Sequence, residues 1–190
     1  WWTTDIGGFH GGWIEKPEFR EMLVRWFQFG TFCPVMRIHG CRQPAAPIVN
    51  SAGEVREQTG ADNEIWSFGE EAYPILKKFI MIREKMRDYT RELMRQAHES
   101  GSPVIRALFY EFPEDRDCYD ITDQYLYGPD VLVCPVCHEG AMSRKVYLPA
   151  GAEWISAHDG KAFRGGQTIE VEAPLDTLPI FLRDGKQEYL

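Results

Sequence analysis

The sequence predicts a mixed fold, with an α/β first half and an all-β second half. Three observations predict it. Strand, helix and strand patterns follow one another within the first forty or so residues, helical periodicity runs from Glu70 to Ser100, and short alternating segments begin at Val104. The change of period at Gly101 to Pro103 divides the chain into residues 1–102 and 103–190.

Trp1 to Phe9, reading WWTTDIGGF, has the aromatic and β-branched residues of a short buried strand. Asp5 stands where that strand ends, and Gly7 and Gly8 let the backbone turn away. A flexible loop from His10 to Trp13 leads to a helix with Pro17 near its first turn. Phe19, Leu23, Trp26 and Phe27 share one face of that helix, Arg20, Glu21 and Arg25 take the other, and Gly30 closes it. TFCPVMRIHG is then the second strand. A strand-helix-strand unit of this length is a right-handed crossover between parallel strands, and it delivers both strand ends to one edge. Asp5 and His39 therefore converge, at the kind of strand end where α/β enzymes place binding and catalytic groups.

Residues 41–64 carry Pro44, Pro47, Gly53 and Gly60 and little apolar periodicity. They read as a long loop, either a wall or lid over the pocket or a solvated insertion. In the helical stretch from Glu70 to Ser100, Ile75, Phe79, Ile82, Met86, Tyr89, Leu93 and Ala97 keep one face, and Gly101 with Pro103 ends it. The segments VIRALFYEF, DQYLYG, DVLVCPV, RKVYLPAG, AEWISAHDG, TIEVEAPL and LPIFLRDG are each bounded by turn residues and describe a small antiparallel β-sandwich.

Composition excludes several functions. A net charge of −8 without a basic cluster argues against nucleic acid, and no apolar run approaches the roughly 18 residues of a membrane span. Five cysteines form an odd set with no regular disulfide framework, which favours free thiols and a cytoplasmic location. CPVCH, at Cys134 to His138, matches a haem-attachment pattern, but VLVCPV reads as a buried strand and no second CxxC completes a zinc site. No GxSxG elbow supports a Ser/His/Asp triad and no phosphate loop occurs, and the cofactor expectation is none. His98 and His158 read as structural or solvated, while His10 stays open. The chain opens on Trp1 rather than Met, and its true N-terminus is expected further upstream.

WWTTDIGGF, RWFQFGTFCPVMRIHG, WSFGEE, HESGSPVIRALFYEFPED, DQYLYGPDVLVCPV and VYLPAGAEW, taken in order, resemble glycoside hydrolase family 31. That resemblance implies a retaining α-glucosidase or α-xylosidase built on a (β/α)8 barrel with a β-sandwich after it. Trp1 to Phe9 would be barrel strand seven, Phe32 to His39 strand eight, the helix from Glu70 the last barrel helix, and Val104 to Leu190 the proximal C-terminal sandwich. His39 would hydrogen-bond sugar hydroxyls in the −1 subsite, Asp5 and Phe9 would line the same pocket, and Arg37 would brace its strand. The nucleophile and the acid/base, both aspartates in this family, are expected upstream of Trp1, so no catalytic residue is assigned and the isolated chain is expected to be inactive. RIHG resembles the α-xylosidase branch more than the α-glucosidase one. Cys134 stands where the family usually has Ala, and IREKMRDYTRELM lacks the common LLPYIY. The implied partners are an oligosaccharide and the remainder of the barrel, with the oligomeric state open. The alternative reading is a non-catalytic structural or carbohydrate-binding β-sandwich module.

Overall fold

The computed structural model describes residues 2–188 and 190; Trp1, the first residue of the expected opening strand, lies outside them. Helix α1 (Pro17–Thr31) forms around Pro17 in its first turn and buries Phe19, Leu23, Val24 and Phe27 on one face. Arg25, expected on the outer face, is buried as well, and the helix runs past Gly30 to Thr31. The last carbonyls of a helix have no helical N–H partner. Here Arg83 supplies them, donating from Nη1 to the Thr31 and Cys33 carbonyls at 2.8 and 2.7 Å and from Nη2 to Pro34 O at 2.8 Å. The Tyr125 hydroxyl donates to Phe32 O at 3.2 Å. These bonds fix the segment that leads on to Arg37 and His39.

The two flanking strands are shorter than expected. They are extended segments joined by one parallel bridge, Ile6 to Ile38, with Ile6 N–H donating to Arg37 O at 3.3 Å and Val35 N–H to Trp2 O at 3.2 Å. Pro34 has no N–H to offer a ladder, and Gly7, at φ +87°, turns the chain immediately after Ile6. The parallel direction and the intervening helix match the expected crossover.

The stretch 41–64 is mostly not a loop. Strands β1 (Arg42–Val49) and β2 (Val55–Ala61) pair antiparallel as a hairpin. Its turn is set by Asn50, whose Oδ1 accepts from the N–H groups of Ala52 and Glu54 at 3.0 and 2.9 Å. Pro44 and Pro47 read as strand breakers, yet a two-stranded ribbon is all edge and tolerates them. The long helix also divides, into α2 (Ala72–Lys85) and α3 (Arg87–Ser100), at Met86 with φ −80° and ψ 2°. Helix α3 reaches the second half through Tyr89, whose hydroxyl donates to Tyr127 O at 3.1 Å, and Thr90, whose hydroxyl lies 2.9 Å from that of Tyr127.

The second half holds strands β3 (Ile105–Arg106), β4 (Tyr125–Tyr127), β5 (Val131–Val133), β6 (Ser143–Leu148), β7 (Glu153–Ser156), β8 (Ala162–Arg164), β9 (Gln167–Glu172) and β10 (Ile180–Arg183). Six form one antiparallel sheet in the order β3-β4-β5-β10-β7-β8, and β6 pairs with β9. VIRALFYEF is strand only at Ile105–Arg106; a helical turn at Leu108–Glu111 follows, and Arg106 pairs back to Glu111. Alternation along the sheet sends Tyr127, Val131, Val133, Ile180 and Leu182 into a core shared with all three helices. Leu126, Leu132 and Phe181 take the other face, with Val146, Leu148 and Trp154. The sheet is thus a middle layer between the helices and the β6-β9 ribbon. Among the described residues, no helix is long and apolar enough to cross a membrane.

Candidate functional site

Because the Ile6–Ile38 pairing is parallel, the residues that follow each segment emerge at the same edge. Phe9 and His39 meet there, ring centroids 5.4 Å apart and planes inclined by 39°, while His10 packs edge-on against Phe9 at 4.4 Å. His10, left open by the sequence, thus belongs to the same aromatic group. Phe9 is 53% exposed and His39 is exposed beside it. The backbone holds them together: Cys41 N–H donates to Phe9 O at 3.0 Å. A Cβ on Gly40, at φ +123°, would lie 2.3 Å from Gly8 O and 2.6 Å from Phe9 O, so only glycine allows this approach.

Asp5 is engaged from the second segment. Arg37 donates from Nε to Asp5 Oδ1 at 2.9 Å, and its Nη2 donates to the same oxygen. The Asp5 side chain keeps 23% of its surface exposed, so the pair sits at the rim. Phe9 and His39 are able to hold a polyol between an aromatic face and a hydrogen-bonding imidazole, while Asp5 is held by Arg37 on the segment beside them. The Phe9 ring packs on C–H groups while the imidazole takes hydroxyls.

Arg42 was not singled out from the sequence, yet its side chain is fully buried beneath this edge. It donates from Nη1 to the carbonyls of Gly8, Gly11 and Cys41 at 2.7, 3.3 and 3.2 Å, and from Nη2 to those of Ile6 and His39 at 3.0 and 3.2 Å. Its Nε donates to Asn63 Oδ1 at 3.0 Å. Burial lowers its pKa from the ordinary guanidinium value, but an arginine stays charged. The available signal was charge: between Ile38 and Gly53, Arg42 is the only Asp, Glu, Lys or Arg.

All five cysteines are unbridged. Cys33, Cys118 and Cys134 are buried, and burial pushes each thiol up to about 12, so none is a ready nucleophile. Cys134 lies in the sheet core while Cys137 is exposed, so the two thiols of CPVCH have different environments. A cleft of about 940 Å³ opens elsewhere, between the Met22, Trp26 and Phe29 side of α1 and a wall formed by Tyr125, Val136 and Cys137. Asp5, Phe9 and His39 do not line it. Its walls are mainly apolar, which suits a protein element better than a polyol.

A parallel crossover around one helix, joined to an antiparallel sheet, is the arrangement of a barrel segment followed by a β domain. The description of the glycosyl hydrolases family 31 TIM-barrel domain matches residues 1–93, and that of the glycosyl hydrolase family 31 C-terminal domain matches residues 101–186. The chain belongs to glycoside hydrolase family 31. It is 34% identical over 185 residues to an α-xylosidase of Saccharolobus solfataricus, covering 97% of this chain and 23% of the relative. With alpha-glucosidase 2 of Bacillus thermoamyloliquefaciens the identity is 35% over 181 residues, covering 95% and 20%. Among solved structures, a family 31 α-xylosidase from a soil metagenome, complexed with xylose, superposes with a TM-score of 0.94 at 48% identity, covering 100% of this chain and 28% of that one. The chain therefore spans about a fifth to a quarter of the curated relatives it matches.

Proposed function

We propose that this chain supplies the sugar-holding side of a retaining α-glycosidase that releases terminal, non-reducing α-linked xylose or glucose, with xylose favoured. The observation that carries the reading is the contact of Phe9 with His39 across a parallel crossover, in a chain of family 31. His39 hydrogen-bonds sugar hydroxyls as the ring flattens toward an oxocarbenium ion, Phe9 forms an apolar wall, and Asp5 offers its Oδ2, since both Arg37 donors go to Oδ1. Xylose is favoured by RIHG and by the 48% identity to an α-xylosidase complexed with xylose.

In this reading the extended segments around α1 are barrel strands seven and eight, residues 1–102 belong to the catalytic barrel, and residues 103–190 are the proximal β-sandwich. The nucleophile and the acid/base come from barrel strands outside this chain, and the reaction is a double displacement between two carboxyl groups that needs no metal or organic cofactor. The cleft beside Met22, Trp26 and Phe29 is the seat of the adjoining barrel element. The test is hydrolysis of aryl α-xylosides and α-glucosides by the enzyme that contains this chain, with the first anomer followed by NMR. Retention and a higher kcat/KM for the xyloside are expected. An inverted anomer overturns the mechanism, and a higher kcat/KM for the glucoside overturns the sugar preference.

A further inference from the structure

We infer that Arg42 is the positioning residue of the candidate site: its buried guanidinium fixes the two segments that carry Phe9 and His39, and Asn63 fixes Arg42. The inference rests on the proposed sugar-holding role of those two residues. A guanidinium has five N–H donors in one rigid plane. Those of Arg42 serve six acceptors, and four of these bracket the site, the carbonyls of Ile6 and Gly8 on the Asp5 to Phe9 turn and those of His39 and Cys41 on either side of Gly40. One planar group thus sets the spacing of both turns. Its acceptors include the carbonyl of His39 itself.

Packing alone does not explain this residue. Burying a cation is costly, and an apolar chain of similar length would fill the same space without that cost. What only arginine supplies is the fixed fork of donors. The sequence is shaped to admit it: a Cβ on Gly7 would lie 2.6 Å from Arg42 Nη2. The ring of Phe19 covers the guanidinium, its centroid 5.7 Å away. Asn63 closes the bracket by accepting from Arg42 Nε at 3.0 Å and donating from Nδ2 to Gly40 O at 3.2 Å. Both ends of the β1-β2 hairpin are therefore pinned at the site.

The test is a double-mutant cycle in the enzyme that contains this chain. Arg42→Lys keeps the charge and loses the fork, and lowers kcat/KM by about a hundredfold, mainly through kcat, as expected for a misplaced binding group. In a His39→Ala background the same change costs no more than about tenfold further, because the share of the loss that passes through His39 is already gone and only the share carried by Phe9 remains. Asn63→Ala, a milder change that removes one acceptor, shifts kcat/KM in the same direction. Losses that multiply in the double variant, or folded single variants with wild-type kinetics, overturn the inference. A wild-type enzyme without glycosidase activity would instead remove the functional reading. The His39 and Phe9 ring resonances then decide on Arg42: they shift in Arg42→Lys and Asn63→Ala, and unchanged resonances in the folded variants overturn its role.

Discussion

His39 is exposed, and its ring rests against Phe9 rather than in the core, so removing it costs little packing. His39→Ala should raise the barrier by about 2 to 4 kcal/mol, the range for a polar group whose bond strengthens in the transition state. Steady-state kinetics on an aryl α-xyloside check this, and near-normal kcat would remove His39 from the site. Gly40→Ala tests the backbone beside it. The new Cβ meets two carbonyl oxygens inside 3 Å at φ +123°, so the variant should lose about 2 kcal/mol of stability as well as activity. An unchanged urea midpoint would contradict the close approach of the two turns. At this scale the sequence was readable where a residue announces itself by position, as His39 and Asp5 do at strand ends. It was silent on the pairing of Asp5 with Arg37 and on the burial of Arg42, because both depend on which carbonyls and carboxylates the fold brings near.

The elements that alternate between two buried faces were legible, and those exposed on both faces were not. Strands β5 and β10 read clearly because Val131, Val133, Ile180 and Leu182 go to one core and Leu132 and Phe181 to the other. Past Arg42, strand β1 is mostly solvated, so no core imposes a period on it, and its prolines obscured the rest. The break at Met86 was hidden because the apolar face continues across it, with Met86 itself fully buried. Asp115 ties the segment after the Leu108–Glu111 turn to β6, accepting from the Tyr147 hydroxyl at 2.7 and 2.9 Å and from Ala150 N–H at 2.7 Å. Partial burial pushes its carboxyl up, but these bonds outweigh that and hold it below the ordinary aspartate range. Fewer protons are then bound folded than unfolded, so the Asp115 contribution is complete above about pH 4 and is lost as pH falls through the lowered value. Asp115→Asn should cost about 1 to 3 kcal/mol at neutral pH. Urea melts over a pH series should show the gap to wild type closing in acid, and a gap that stays constant would sink this assignment.

At the scale of the whole molecule, the change of period at Gly101 to Pro103 marks where helices give way to strands, but packing runs across it. Helix α1 and the sheet share one apolar cluster, and Arg25 links them by hydrogen bonds. From its buried place on α1, Arg25 donates to the carbonyls of Ala141, Ala173, Pro174 and Thr177 at 2.7 to 3.2 Å. Gln28, one turn on, donates to Leu175 O at 2.6 Å, and Lys78 from α2 donates to Asp176 O at 2.9 Å. Three side chains of the helical layer thus hold the segment that leads into β10. Arginine at position 25 looked solvated because helical spacing reports only the faces of one element, and the carbonyls that receive it come from residues more than a hundred positions away. Burial lowers its pKa, and the charge survives because those acceptors replace water. Arg25→Met strips their donor from the carbonyls and should cost about 3 kcal/mol, whereas Lys78→Met, at an exposed bond, should cost less than about 1 kcal/mol. In denaturant melts of the enzyme that contains this chain, Arg25→Met should lower the midpoint while leaving the slope and the single transition intact, because the shared core still couples the halves. Equal effects of the two substitutions would show that Arg25 carries no special share of the junction, and a transition split in two by Arg25→Met would show that its hydrogen bonds, rather than the apolar cluster, make the halves unfold together.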